Sequence, residues 1–356
     1  MFNTKHYIPI LKWKGAERKA LEKLSDKEKM FITPVVQIIM PQPKNINDGV
    51  NRKGTEELLN ESIATLKVKL PVIAVEILKY WGKAPAFLDL SLIDVTLREE
   101  GFSKILSTGQ NLGMCLIPVI SLNFGPKIQA IVASLAMANK HGLCLRISRA
   151  DFINQVKLDR RIADFLSKYN LSEKAIDLLV DFQAEPCPKL SDLNQEIPHL
   201  LKWRTFTLAC GAFPVDLMKC VLGKNYIPRS DWNSWISQIN TQKIQRQPSF
   251  ADYTIQHPIY KESYQFFPPS ASIRYTLKDK WLVMRGQRRR SAQYLANAQL
   301  LSQDKDFFGE GFSYGDTYIV EKGKNLKGKT GSATTWLVAG INHHLVCTIA
   351  QIAKLP

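Results

Sequence analysis

The sequence predicts an α/β protein whose eight parallel strands close into a single (β/α)8, TIM-barrel-like domain. Short apolar runs that end in polar residues alternate with amphipathic segments along most of the 356 residues. One complete unit spans Gly142–Gln183, where two such runs flank a segment with apolar residues at helical spacing. Strands joined through a helix pair in parallel, and eight of them favour a closed barrel. An open doubly wound sheet is the alternative, but the glycine-rich dinucleotide turn typical of such sheets does not follow the first strand.

Each predicted strand is an apolar run bounded by turn-forming or charged residues. In order, the strands are His6–Leu11, Ile32–Ile38, Pro85–Leu90, Met114–Ser121, Gly142–Ser148, Ala175–Gln183, Trp203–Cys210 and Phe250–Ile255. Apolar residues spaced three and four apart predict helices within Glu17–Leu24, Leu59–Leu66, Phe102–Leu112, Ile128–Leu135, Leu158–Tyr169, Pro188–Leu201 and Arg229–Trp235. Met40–Gly54 contains Pro, Asn and Gly and is predicted to be a loop. Val72–Leu78 fits either a strand or a helix.

The pattern changes after the eighth strand, and Gln256–Ser332 is interpreted as an insertion. Ser272–Leu277 and Lys280–Met284 predict a β-hairpin, and a helix follows through Tyr294 and Leu301. Gly309–Ser332 is rich in Gly and Lys and holds little material for a core. Residues 333–356 are predicted to form a closing helix, whose apolar stripe completes the barrel.

The composition points to an intracellular protein with an acidic partner. Lys and Arg total 48 against 32 Asp and Glu, which gives a formal charge of +16. This excess indicates nucleic acid, a phosphorylated ligand or an acidic protein as partner, or else solvated surface charge. The six cysteines form no Cys-x-x-Cys pair, as expected of a reduced cytoplasmic protein. The N-terminus does not resemble a signal peptide and no apolar stretch is long enough to span a bilayer, so no membrane insertion is expected.

In a (β/α)8 barrel the active site lies at the carboxyl ends of the strands. The polar residues predicted there are Lys12, Lys14, Asp89, Arg146, Asp181, Gln183, Asp252 and Tyr253. Strand alternation places Arg146 on the same face as Ser148. Paired with Asp89 or Asp181, Arg146 would hold a phosphate or carboxylate, with the two lysines as further phosphate ligands. The alternative is a structural ion-pair network at the barrel rim.

Three carboxylates, Asp89, Asp181 and Asp252, are candidates for catalysis, either by moving protons or by holding Mg²⁺. Rim salt bridges are the competing interpretation. His343 and His344 are neighbours on a helix, where they diverge by about 100° and cannot easily share one metal ion. One is expected to be buried, and the other, with His344 as the candidate, to reach the barrel mouth as an acid or base. No cysteine or histidine spacing suits a zinc site.

Gly323–Thr330 reads Gly-Lys-Asn-Leu-Lys-Gly-Lys-Thr and matches the phosphate-binding loop G-x-x-x-x-G-K-T. Thr317–Glu321 before it resembles a strand, and a helix follows, as the motif needs. Only 26 residues remain after Thr330, too few for the rest of a nucleotide-hydrolysing domain. Lys329 therefore has three interpretations: an NTPase lysine, a phosphate ligand beside a helix N-terminus of the barrel, or exposed flexible surface.

A second basic segment, Arg285-Gly-Gln-Arg-Arg-Arg290, follows the predicted hairpin. Its arginines, Arg285, Arg288, Arg289 and Arg290, are candidates for binding nucleic-acid phosphates. Tyr275, Trp281 and Tyr294 flank them and would stack on bases. The alternative is an exposed helix start beside aromatic residues of the core.

Short motifs occur in a fixed order along nearly the whole chain. They comprise Tyr7, Pro9, Lys12, Lys14, Glu17, Ala20, Leu21, Pro34, Asp89, Arg229-Ser-Asp-Trp232, Asp252-Tyr253, Trp281, Arg285-Gly286, Trp336 and Asn342-His343-His344. Together they resemble the Beta family of phage and prophage proteins. The resemblance implies a bacterial cytoplasmic protein linked to mobile elements. One relative is encoded in a satellite-phage locus beside a growth-inhibiting partner, a setting associated with anti-phage defence. The resemblance implies no established reaction, and the family often has an acidic residue where this chain has Gln37.

Three functional hypotheses follow, the third being the NTPase whose phosphate-binding lysine is Lys329. The first is a binding protein of anti-phage defence that engages a partner protein or nucleic acid through a basic barrel face and the insertion. The second is a barrel enzyme for a phosphorylated substrate, such as a metal-dependent phosphodiester or nucleotide hydrolase. In that enzyme the phosphate or substrate ligands are Lys12, Lys14, Arg146, Tyr253, Arg229 and Lys329, and the catalytic candidates are Asp89, Asp181, Asp252 and His344.

Overall fold

A closed barrel of eight parallel strands confirms the predicted fold. The computed structural model describes residues 3–43, 54–153, 155–241, 244–260 and 269–355. The first seven strands are β1 (Tyr7–Lys12), β2 (Val35–Ile39), β3 (Ala86–Leu92), β4 (Leu116–Ser121), β5 (Leu143–Ser148), β6 (Ile176–Asp181) and β7 (Thr205–Ala209). The next strand in the chain, β8 (Gly223–Pro228), lies outside the barrel. The barrel is closed by β9 (Ser249–Asp252), which pairs in parallel with both β7 and β1.

Helices cover the outside of the barrel. They are α1 (Gly15–Glu22), α2 (Asp26–Lys29), α3 (Thr55–Tyr80), α4 (Val95–Asn111), α5 (Pro126–Asn139), α6 (Gln155–Lys168), α7 (Leu190–Glu196) and α8 (Ser230–Thr241). Val72–Leu78, which fitted either structure, is part of α3, where Leu70, Ile73, Ala74 and Ile77 bury one stripe. In the described ranges, no helix is both long and apolar enough to cross a membrane.

The barrel lumen is filled by alternate residues of each strand. Ile8 and Ile10 of β1 pack there with Phe87, Val119 and Leu179 of other strands, as part of one interior cluster. The intervening residues pack outward against the helices. Because this alternation continues to the strand ends, it determines which side chains line the mouth of the barrel.

A three-stranded antiparallel sheet lies beside the barrel, in the order β10 (Ile273–Thr276), β11 (Lys280–Arg285), β8. The hairpin of β10 and β11 was predicted, but β8 was not. The sequence of β8, Gly-Lys-Asn-Tyr-Ile-Pro, is mostly composed of residues that disfavour strands. Its pairing with β11 over six residues supplies what local propensity lacks.

Three helices complete the C-terminal part, α9 (Gln293–Ser302), α10 (Tyr314–Lys324) and α11 (Ala333–Ile352). The expectation that Gly309–Ser332 has little core material is wrong, since α10 buries Asp316 and Ile319. Gly315 allows this packing, because a Cβ at that position would lie 2.1 Å from the carbonyl oxygen of Ala339 in α11. A glycine in a lysine-rich segment therefore marks close helix packing here and not a flexible loop.

Candidate functional site

Six side chains form a polar layer at the carboxyl end of the barrel lumen. They are Lys12, Gln37, Asp89, Arg146, Asp181 and Tyr253, and we call this set the mouth layer. Neighbouring strands align them, since Lys12 is in register with Gln37, and Gln37 with Asp89. Arg146 and Ser148 were predicted to share one face of β5. That face is the lumen side, because Cys144 of the same strand and face lies in the interior cluster.

Arg146 connects the mouth layer. Its Nη1 donates to Asp89 Oδ2, and its Nη2 donates to Asp181 Oδ2 at similarly close range. Its Nε also donates to Asp181 Oδ2 at 2.9 Å, and Nη2 donates to the Tyr253 hydroxyl at 2.9 Å. Tyr253 in turn donates to Asp181 Oδ2 at 2.6 Å. The guanidinium thus holds two almost fully buried carboxylates in one network.

Backbone and amide donors fix the other carboxylate oxygens. Asp89 Oδ1 accepts from the amide of Ser91 at 2.8 Å, and its Oδ2 accepts from Gln37 Nε2 at 2.9 Å. Asp181 Oδ1 accepts from the amide of Gln183 at 2.8 Å. Each carboxylate is therefore oriented by at least two donors, so both are held in fixed positions.

Lys12 is buried next to this network. Its Nζ donates to the carbonyl oxygen of His257 at 2.8 Å and lies 5.4 Å from the centre of the Tyr253 ring. Burial lowers the pKa of Lys12 to about 8, although attraction to Glu17 acts against this shift. A lysine with such a pKa exists in both protonation states near neutral pH, as proton transfer requires.

Two buried acceptors beside Lys12 have no hydrogen-bond partner in the described part of the chain. They are Glu17 Oε2 and Gln37 Oε1. Glu17 is only 2% exposed, and burial raises the pKa of its carboxyl group. Unsatisfied buried polar atoms are rare in proteins, and here they lie at the end of the barrel where active sites occur.

Two further features give this end of the barrel space and charge for a ligand. A cavity of about 840 Å³ above β5 and β6 is lined by Ser148, Arg149, Asp181 and Gln183, among others. Lys14 is exposed, with its Nζ 4.6 Å from the ring centre of Tyr260. Asp181 therefore borders both the buried network and open space.

Asp252 does not join the mouth layer, contrary to its predicted role. Ala251 and Tyr253 face the lumen, so the residue between them faces the helices. Asp252 Oδ1 accepts from the Tyr7 hydroxyl at 2.5 Å, and its Oδ2 lies 2.9 Å from Nε2 of His344. Burial alone would raise the pKa of Asp252, but His344, Arg229 and the Tyr7 hydrogen bond lower it.

Both histidines of the C-terminal helix are fully buried, so the expectation that His344 reaches the mouth is wrong. His344 Nδ1 lies 2.9 Å from the Thr276 hydroxyl, in addition to its contact with Asp252. His343 contacts Asp316 Oδ2 and the carbonyl oxygen of Thr276, both at 2.8 Å. These side chains join α11 to the small sheet and to the barrel.

Arg229, which was predicted to bind phosphate, is also fully buried, and its guanidinium donates to protein acceptors. Its Nη1 donates to the carbonyl oxygen of Leu277 at 3.0 Å and to Gln351 Oε1 at 2.7 Å. Its Nη2 donates to the Thr348 hydroxyl at 3.3 Å. Acceptors of the hairpin and of α11 thus hold this guanidinium, which directly follows β8.

The phosphate-loop context predicted for Lys329 is wrong. Thr317–Glu321, which resembled a strand, lies within α10, and Gly323 is buried near the end of that helix. Lys329 is exposed in the connection to α11, whose N-terminus is capped by Ser332 through a capping box with Thr335. A connection between two helices lacks the strand that precedes a nucleotide-binding loop.

The predicted base-stacking residues are not accessible. Tyr275 and Trp281 are fully buried and Tyr294 is 5% exposed, because all three pack in cores beneath the hairpin. Arg288, Arg289 and Arg290 are exposed before α9, whereas Arg285 at the end of β11 is half-buried. The arginines remain available to a polyanion, but without aromatic partners from this set.

The predicted Mg²⁺ site is not assembled from its three carboxylates. Asp89 and Asp181 bind Arg146 and Asp252 faces away from them. Within the described ranges, no group of three or more His, Cys, Asp or Glu side chains is arranged to hold a metal ion.

Sequence reasoning missed Glu17 and Gln37 as members of this site. A signal existed for Gln37, because it lies two residues after Val35 and so shares its face with a lumen residue. Glu17 belongs to a helix, and only the return of the chain after β9 brings Gln256 within 3.3 Å of it.

Comparisons with known proteins give one family match. A family model described as Beta protein matches residues 7–350. No curated protein matches the chain. Among solved structures, a mutant tryptophan synthase α-subunit from Pyrococcus furiosus is 12% identical with a TM-score of 0.40, covering 71% of this chain and 89% of that one. Type I 3-dehydroquinate dehydratase from Clostridium difficile, with covalently modified comenic acid, is 9% identical with a TM-score of 0.38, covering 70% and 85%.

Proposed function

This chain belongs to the Beta protein family, and from that premise we propose that it is a barrel enzyme which binds a phosphorylated substrate at the mouth layer and transfers a proton there. The observation that carries the proposal is the burial of Lys12 beside the Asp89–Arg146–Asp181 network. Burial of an ionisable group is costly and a purely structural role is better served by an apolar residue. Barrel enzymes place their catalytic groups at this end.

The proposal assigns different roles to the cations. Arg146 is a positioning residue, because protein acceptors engage its Nε and both terminal nitrogens. Lys14 is exposed and supplies charge for the phosphate. Lys12 donates to one carbonyl oxygen, and an ammonium group has three N–H donors, so it retains capacity for a substrate oxygen. With its pKa lowered to about 8, it also releases a proton near neutral pH.

Lys12 is expected to react with an acetylating reagent at lower pH than the exposed lysines, because its pKa is lowered to about 8. Competitive acetylation of the intact protein across pH 6–11, quantified by peptide mass spectrometry, should give a labelling midpoint for Lys12 near pH 8. Exposed lysines on the helices serve as the internal reference and should react at higher pH. A Lys12 midpoint equal to theirs would remove the basis for proton transfer.

A matched variant separates function from folding. Lys12→Met keeps the length of the side chain and removes the amine. Because the folded-state pKa lies below the unfolded value of 10.5, burying the ammonium costs stability below pH 8, and this cost is relieved as pH rises from about 8 to 10.5. The variant should therefore be at least as stable as wild type at pH 7. Once a screen of phosphorylated compounds has identified a substrate, the variant should not turn it over.

A second candidate function is a role in anti-phage defence through partner binding. The observation that favours it is the exposure of Arg288, Arg289 and Arg290 together, on a chain with a net charge of +16. Deleting the whole of Gln256–Ser332 would not test this role cleanly. It would remove β10 and β11, on which β8 and α11 depend.

Substitution of the three arginines is the sharper experiment. The triple change to glutamine should weaken binding to single-stranded DNA or RNA about tenfold or more at 50 mM salt and flatten its salt dependence. The matched control changes three exposed barrel lysines, Lys19, Lys27 and Lys202, to glutamine. Equal weakening by both variants would indicate general charge attraction and not a binding surface.

A further inference from the structure

The opposite end of the barrel holds a second cavity. It has a volume of about 950 Å³ and opens at the amino ends of the strands, between the residues that precede or begin β1 to β7. This volume lies within the range of small-molecule sites. The cavity is separated from the mouth layer by the apolar lumen, so it is independent of the proposed active site.

The charge of this cavity is strongly positive. Four lysines line it, Lys5, Lys29, Lys83 and Lys140. In the segments that the structure describes, none of the four ammonium groups forms an ion pair. Unpaired lysines around one concave surface attract anions, and lysine binds phosphate groups as a point charge.

The carboxylate at the base of the cavity is already neutralised. Asp177 Oδ2 accepts from Arg204 Nη2 at 2.6 Å, and its Oδ1 accepts from Arg204 Nε at 3.0 Å. The Thr205 hydroxyl also donates to Asp177 Oδ1, at 2.7 Å. The other acidic residue, Asp26, is exposed. The four lysines therefore dominate the potential inside the cavity.

An apolar surface lies next to these charges. Phe31 lines the cavity and is 45% exposed, and Met30 beside it is 67% exposed. Exposed aromatic and thioether groups next to unpaired lysines suit a ligand with a planar ring and a phosphate. A simple inorganic anion would use the lysines alone and leave this apolar rim in water.

We propose that the amino-terminal cavity of the barrel binds a nucleoside phosphate, with Lys83 and Lys140 facing the phosphates and Phe31 stacking on the base. The ligand is either a free nucleotide or the phosphorylated end of a nucleic-acid strand, since both present the same chemistry. This site adds a binding function at the face of the barrel opposite the proposed catalytic one.

The test measures binding of a fluorescent adenosine triphosphate analogue to the full chain at 50 mM salt. Lys83→Gln/Lys140→Gln should weaken binding at least tenfold. The matched control, Lys327→Gln/Lys329→Gln, removes the same charge from an exposed segment elsewhere and should change affinity less than twofold. Undetectable binding by the wild-type protein, or equal weakening by both pairs, would overturn the proposal.

Two further arms identify the ligand, and a third separates this site from the mouth layer. Phe31→Ala should weaken nucleotide binding about tenfold and leave pyrophosphate competition unchanged. If a 5′-phosphorylated oligonucleotide competes and its unphosphorylated form does not, the strand end is the ligand, whereas competition by mononucleotide alone identifies the free nucleotide. Competition by both oligonucleotide forms alike would mean that the strand crosses this face outside the cavity, which contradicts the proposal.

Lys12→Met should leave all these affinities unchanged, so this site can fail or succeed separately from the mouth layer.

Discussion

Replacing Arg146 with methionine is expected to lower the free energy of unfolding by about 3–5 kcal/mol, the typical cost of removing one partner of a buried ion pair. The variant would leave Asp89 and Asp181 almost fully buried without a cation between them. Burial alone would lower the pKa of Arg146, but Asp181, Tyr253 and Asp89 raise it well above its usual value, so the side chain is a permanent cation. Urea denaturation at pH 7 measures the loss.

A matched set of variants shows whether the lost stability comes from charge or from packing. Adding Asp89→Asn and Asp181→Asn to Arg146→Met removes the uncompensated negative charges and should recover a large part of the loss. If the triple variant is no more stable than Arg146→Met alone, packing and not charge pairing explains the effect. A loss below about 1 kcal/mol in the single variant would mean that the network is not structurally required.

Asp252→Ala is expected to destabilise the fold by about 3 kcal/mol through the same principle at a different place. The change removes the acceptor of the Tyr7 hydroxyl and the partner of His344, both fully buried, and takes away one of the two carboxylates near Arg229, the other being Asp231. Asp252→Asn keeps an oxygen acceptor for Tyr7 and should cost less. Thermal and urea unfolding of both variants test this order.

The effect of Asp252 depends on pH in a definite direction. Its folded-state pKa lies below the ordinary value of 3.8, so its stabilisation is fully present above about pH 4 and is lost as pH falls through the folded-state pKa. The difference between wild type and Asp252→Ala should therefore shrink at acidic pH. A variant that keeps its stability at pH 7 but loses the activity of the mouth layer would instead restore the catalytic role first predicted for Asp252.

The contrast between Arg146 and Asp252 shows how far strand alternation carries a prediction. Alternation along β5 predicted that Arg146 lies on the same face of the strand as Ser148. The structure brings Arg146 into contact with both predicted carboxylates. Asp252 and Tyr253 were both predicted to line the mouth, although the side chains of consecutive strand residues point to opposite sides of the sheet. Alternation alone therefore excluded one of these two residues from the mouth. Because Ala251 is buried in the lumen, the excluded residue is Asp252.

Other differences have a non-local cause. The strand β8 forms because β11 pairs with it, although β11 lies more than fifty residues later in the chain. The segment with the phosphate-loop pattern joins two helices because α10 packs closely on α11 at Gly315. The interpretation of Arg288–Arg290 as an exposed helix start beside core aromatics agrees with the burial of Tyr275, Trp281 and Tyr294.

By itself, the sequence determined the number and order of barrel strands, the C-terminal helix, the hairpin and the face occupied by Arg146. These features follow from local periodicity, which a single segment carries within its own residues. Only the tertiary structure decided that Asp252, His344 and Arg229 serve the packing of α11, that Glu17 and Gln37 border the mouth, and that four lysines from separate connections surround one cavity. Such groupings depend on which distant segments the closed barrel brings together, and no local pattern encodes that proximity.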